Sequence, residues 1–173
     1  SNGNTVAIGA NGNDGNGNGS GHVRIYEYVS GSWTQLGQDI DGEAASDWSS
    51  NSLSLSSDGN TVAIGANGND GNGNNSGHVR VYNWNGSYWY QLGDDIDGED
   101  VLDYSGDLRS VSLSSNGNIV AIGATLNDGN GNNSGHVRIY EYTGVYLFGI
   151  PIGSWSQIGQ DIDGEAAGDQ SGC

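Results

Sequence analysis

Three near-copies of one block limit what this chain can fold into. Ser1-Asn2-Gly3-Asn4-Thr5-Val6-Ala7-Ile8-Gly9-Ala10 returns as Ser57-Asp58-Gly59-Asn60-Thr61-Val62-Ala63-Ile64-Gly65-Ala66. It returns again as Ser115-Asn116-Gly117-Asn118-Ile119-Val120-Ala121-Ile122-Gly123-Ala124, so the copies start at residues 1, 57 and 115. A period near 50 residues belongs to blade arrays and solenoids, in which one unit cannot bury its own faces and relies on stacked neighbours. The chain divides into repeats over 1–56, 57–114 and 115–173, the third carrying an insertion at 145–152.

Each repeat reads as short antiparallel strands. In the middle copy Ser52-Leu53-Ser54-Leu55-Ser56 alternates polar and apolar, the period of a half-buried strand. Asp58-Gly59 is a hairpin turn, because both residue types tolerate positive φ. Thr61 to Ala66 is a β-branched strand, and 67–77 is a long loop of Asn, Gly, Asp and Ser. His78 to Trp84 is a third strand, and Trp89-Tyr90-Gln91-Leu92 begins a fourth. No helical period appears. The expected fold is all-β: three four-stranded antiparallel blades of the β-propeller type, the first lacking its leading strand. Three blades do not close a ring, so the unit is expected to belong to a larger array.

Composition excludes several alternatives. Only 34% of the 173 residues are hydrophobic and 32 are glycine, yet five Trp and nine Tyr recur at matched positions, unlike a disordered chain. The net charge is −17, with no lysine and four arginines, Arg24, Arg80, Arg109 and Arg138. Such a field repels nucleic acid and anionic lipid and attracts cations. No apolar run is long enough for a membrane helix, so membrane insertion is not expected.

Thr61-Val62-Ala63-Ile64-Gly65-Ala66 followed by Ser76-Gly77-His78-Val79-Arg80-Val81-Tyr82 resembles the FG-GAP repeat of integrin alpha-subunit propellers. It is also similar to tandem versions of that repeat in bacterial and marine surface proteins. The pattern recurs in all three copies and covers nearly the whole chain. The resemblance implies a β-propeller, an extracellular or cell-surface location and adhesion. Integrin-type blades often carry an Asp-x-Asp-x-Asp-Gly calcium loop before the Ile-Gly-Ala strand. Ser57-Asp58-Gly59 and Ser115-Asn116-Gly117 stand there instead, with too few carboxylates for that role.

Other residues offer chemistry in triplicate. The loops 11–18, 67–74 and 127–132 set Asp14 and Asn16, Asp70 and Asn72, and Asp128 and Asn130 among glycines. Such oxygens can wrap calcium, but one carboxylate per loop suits weak binding or an ordered turn better. The acidic runs at 39–43, 95–99 and 161–165 share the order Asp-Ile-Asp-Gly-Glu and read as weak cation sites. A carboxylate pair present in every copy is structural repetition, not one active site. His22, His78 and His136 sit one per repeat, a blade width apart and too far to share one zinc ion. No cofactor is required by this pattern, calcium is a possible ligand, and no catalytic residues are assigned.

Asn18, Asn74 and Asn132 open glycosylation sequons at one shared position, and Asn85 opens a fourth at a turn. Cys173 stands at the last position with no partner in the chain, a candidate for an intermolecular disulfide. Together these features predict a non-enzymatic extracellular repeat protein, a structural unit of a surface fibre or matrix that joins copies of itself head to tail. The slot left by the missing first strand suits a neighbour's segment such as Leu53-Ser54-Leu55. The alternative is an adhesin-type propeller that binds carbohydrate or protein through its loops, with Trp84, Tyr88, Trp89 and Tyr90 stacking on sugar rings.

Overall fold

The computed structural model describes residues 3–147 and 150–173. Ser1 and Asn2 of the first repeat and Phe148 and Gly149 of the apolar insertion lie outside the described residues. The rest forms three antiparallel sheets, with no helix among the described residues. The first sheet holds β1 (Thr5–Ala10), β2 (His22–Val29), β3 (Ser32–Gln35) and β4 (Ile40–Asp41). The second holds β5 (Ser52–Leu55), β6 (Thr61–Ala66), β7 (His78–Trp84), β8 (Trp89–Gln91) and β9 (Ile96–Asp97). The third holds β10 (Val111–Leu113), β11 (Ile119–Ala124), β12 (His136–Leu147), β13 (Ile150–Gln157) and β14 (Ile162–Asp163).

The second and third sheets run β5-β6-β7-β8 and β10-β11-β12-β13, whereas the first begins at β1 and has no leading strand. Four strands per repeat become five segments because the last one breaks in two. Tyr82 faces Gln91 and Val79 faces Ile96, so two residues of β7 oppose four of the edge chain. Gly93, at φ +77°, makes that bulge possible. The insertion lengthens the β12–β13 hairpin, in which Val145 pairs with Ile152 and both are exposed. Among the described residues no sheet closes into a barrel.

Alternation on β6 builds the core. All six residues of Thr61–Ala66 are buried, as expected for a strand covered on both faces. Val62 and Ile64 join Val23, Ile25, Ile40 and Trp89 between the first and second sheets. Ala63 turns the other way, toward Val79, Val81, Leu92, Val111, Val120 and Ile122 between the second and third. The sheets therefore stack through two similar apolar layers. Polar bonds set their register: the Ser52 hydroxyl accepts from Val111 N at 3.1 Å and the Ser54 hydroxyl accepts from Leu113 N at 2.8 Å.

Candidate functional site

The junction between consecutive sheets is built twice from the same residues. Trp89 donates its indole N–H to the carbonyl of Leu36 in the preceding repeat at 2.8 Å, and Trp155 donates to Leu92 at 2.6 Å. Arg80 Nη2 donates to Asp41 O at 3.0 Å, and Arg138 Nη2 to Asp97 O at 2.8 Å. Asn69 Nδ2 reaches Asp47 at 3.1 Å, and Asn127 Nδ2 reaches Asp103 at 2.9 Å. Asp47 and Asp103, both buried, also accept the backbone N–H three residues earlier, of Ala44 and Asp100. Sequence reading passed over these two aspartates. Their signal was a shared position just after each acidic run.

Each junction also gathers a glutamate, a histidine and an aspartate. Glu43 of the first repeat reaches over to His78 and Asp95 of the second, and Glu99 does the same to His136 and Asp161 of the third. His78 Nδ1 lies 3.5 Å from Asp95 Oδ2 and 3.9 Å from Glu43 Oε2. His136 Nδ1 lies 3.7 Å from Glu99 Oε2 and 3.9 Å from Asp161 Oδ2. The acidic runs thus meet the histidines across repeats, a pairing that spacing within one repeat does not reveal. Gly98, between Asp97 and Glu99, lets the chain press on the carbonyl of Ser76, which a Cβ would strike. That close approach holds the acidic run against the sheet and sends Glu99 on to the next.

Neighbours fix the remaining carboxylate oxygens. Gln91 Nε2 donates to Asp95 Oδ1 at 2.6 Å, and Gln157 Nε2 to Asp161 Oδ1 at 2.6 Å. Arg80 Nη1 sits 3.3 Å from Glu43 Oε1, and Arg138 Nη1 3.4 Å from Glu99 Oε1. Burial pushes the His78 imidazole down to about 4, with Arg80 adding to the effect and Asp95 and Asp47 opposing it. Burial lowers His136 too, again with help from its arginine. Both rings are therefore neutral at pH 7, and their carboxylate contacts are not ion pairs there. Beside the third sheet, Glu99, Asp100, Asp103, Asp128, Asp161 and Asp163 line a cleft of about 910 Å³.

The first sheet, which has no earlier sheet against it among the described residues, differs in an instructive way. Arg24 turns back onto Asp39, 3.0 Å from Oδ2, and is half-exposed. Burial raises the Asp39 carboxyl, but hydrogen bonds from Gln35 and Arg24 outweigh it and hold it below the usual range. His22 stays 3.8 Å from the same carboxylate.

The Asn-rich loops direct their polar atoms inward. Asp14, Asp70 and Asp128 accept the backbone N–H groups of Gly19, Asn75 and Asn133 at 2.8, 2.7 and 2.7 Å. The Asn16, Asn72 and Asn130 amides donate to backbone carbonyls of the acidic runs, for example Asn72 to Gly98 O at 2.9 Å. The nitrogens of these amides are taken up by the backbone, and an N–H group is no cation ligand. The sequon residues Asn18, Asn74, Asn85 and Asn132 are all exposed. Ser20, Ser76 and Ser134, two residues on, are fully buried, whereas Ser87 is exposed. Of the loop aromatics, Trp84 and Trp89 pack together at 5.5 Å in the junction, and Tyr88 faces solvent. Cys173 is exposed and free.

The chain matches no protein-family model and no curated protein. Among solved structures it is similar to a hypothetical selenium-binding protein from Sulfolobus tokodaii, at 11% identity and a TM-score of 0.46. That match covers 83% of this chain and 36% of the other, so this chain spans about a third of that protein's length.

Proposed function

We propose that this chain is a non-enzymatic structural unit of an extracellular fibre or matrix, its sheets acting as propeller-type blades of the FG-GAP kind that stack head to tail with copies of itself. One observation carries this reading: the two outer faces are complementary halves of the internal junction. Trp89 is 3% exposed in its junction, while its counterpart Trp33 is 51% exposed. Ile40 and Ile96 are 4% and 5% exposed, while their counterpart Ile162 is 55% exposed. Among the described residues, His22 and Arg24 of the first sheet meet Asp39 but no glutamate of another repeat, and Glu165 beside the last sheet meets no histidine or arginine. Ile8, on the edge strand that lacks a leading partner, is 53% exposed against 1% for Ile64 and Ile122. A second copy seated last sheet to first sheet continues an interface already made twice within the chain. A contact between two different faces is heterologous, and it runs on as a filament unless it closes into a ring.

Light scattering and electron microscopy of the purified chain test this. Concentration-dependent growth into filaments is expected, with loss of growth in Ile162→Asp while the folded monomer persists. A folded chain that stays a sharp monomer at high micromolar concentration overturns the assembly reading and leaves the loop-binding adhesin.

A further inference from the structure

The three-residue clusters between the sheets fit a ligand. His78 is buried to 1% exposure, and neither of its ring nitrogens makes a hydrogen bond. Its Nδ1 lies near two carboxylate oxygens, Asp95 Oδ2 at 3.5 Å and Glu43 Oε2 at 3.9 Å, and makes a hydrogen bond with neither. With a lone pair on Nδ1, the ring faces two anions. With a proton on Nδ1, Nε2 becomes a buried acceptor with no donor. Each tautomer leaves a buried polar atom unsatisfied, an arrangement that ordinarily costs stability.

We infer that each of these clusters is a divalent transition-metal site, with zinc as the best-matched ion. The ligands are Glu43, His78 and Asp95 in one site and Glu99, His136 and Asp161 in the other. Tetrahedral zinc with N and O ligands at about 2.0–2.1 Å needs ligand atoms roughly 3.3 Å apart. The 3.5 and 3.9 Å separations at His78 reach that with a small closure. One imidazole with two carboxylates suits zinc better than calcium, which prefers oxygen alone. The supporting contacts are already in place. Gln91 and Gln157 hold the far oxygen of each aspartate, and Arg80 and Arg138 hold the far oxygen of each glutamate. Such outer contacts orient ligands and tune affinity. Glu43 and Glu99 are about two-fifths exposed, so water fills the remaining position and an entry path exists. The metal satisfies Nδ1 only; Nε2 of both rings keeps no hydrogen-bond partner.

The sites are complete within one chain, so their test does not depend on assembly. Calorimetric titration of zinc into a tag-free Cys173→Ser chain, held monomeric by Ile162→Asp so that no third cluster forms between copies, in physiological salt with excess magnesium, is expected to show two equivalents. The Cys173→Ser change removes a competing thiol. His78→Gln is expected to leave one equivalent. Glu43→Gln, at an exposed carboxylate, abolishes the same equivalent without threatening the core. Gln91→Ala weakens that site by about 10- to 100-fold. Cobalt substitution gives visible absorption that disappears stepwise in the same variants. Absence of zinc uptake, or uptake unaltered by both Glu43→Gln and His78→Gln, overturns the proposal.

Discussion

Replacing Trp89 by alanine measures how strongly one repeat leans on the next. Its ring is 3% exposed, lies 5.5 Å from Trp84 and donates to the carbonyl of Leu36 across the junction. Truncating a buried Trp costs about 3–5 kcal/mol through lost transfer energy and the cavity left behind. The change also leaves the Leu36 carbonyl without its donor, so the upper half of that range is expected. For a chain of 173 residues, about 4 kcal/mol lowers the melting temperature by roughly 8–16 °C. Trp33→Ala is the internal control. The same residue type at the same repeat position is half-exposed and packs on Tyr28, 5.2 Å away. It loses about 1 kcal/mol or less. Urea unfolding followed by circular dichroism, at dilutions where the chain is monomeric, separates the two. Equal losses for Trp33→Ala and Trp89→Ala refute the claim that the junction carries the stability.

Three further outcomes are expected. In chelator, the metal-free chain loses stability as pH falls from about 6.5 toward about 4. The unfolded chain takes up protons there that the buried, neutral His78, facing Glu43 and Asp95 beside Arg80, refuses, and His136, lowered in the same sense, adds to the loss; denaturant midpoints across pH read a slope on the order of 1 kcal/mol per pH unit for His78. Gly98→Ala drives a methyl into the Ser76 carbonyl and costs about 3 kcal/mol by thermal melting, whereas Gly86→Ala meets open space and bears only the strain of its φ of +94°, about 1–2 kcal/mol. Ser52→Ala strips the acceptor from Val111 N in a buried setting and costs about 1–3 kcal/mol, visible as faster hydrogen exchange at Val111.

The fold was legible where residues alternate or repeat. The period of Ser52-Leu53-Ser54-Leu55, the run Thr61 to Ala66 and the turn at Asp58-Gly59 yield β5, β6 and the hairpin between them. The broken edge strand was less visible, because a bulge at Gly93 depends on one backbone torsion and not on hydrophobic period. The junction clusters were hardest to see. Glu43 and His78 stand 35 positions apart and meet only because one sheet stacks on the next. Reading each repeat by itself assigns the acidic run and the histidine to separate places. In the Asn-rich loops a weak cation site and an ordered turn read alike from sequence, because the direction in which the amides turn, inward to backbone carbonyls, is set by the fold and not by composition.

The crossovers between sheets give the chain a particular response to pulling. Trp48 N and Ser49 N bond back to Gly19 O and Ser20 O of the repeat being left, while Ser50 N bonds forward to Gly65 O of the repeat being entered. Tyr104, Ser105 and Gly106 do the same one repeat later, to Asn75, Ser76 and Gly123. Tension along the backbone therefore meets each crossover already tied on both sides, and no slack segment yields first. The load passes into the stacked layers, and extension comes in whole-repeat steps. Each released repeat of about 56 residues supplies roughly 190 Å of extended chain, less the span it covered when folded.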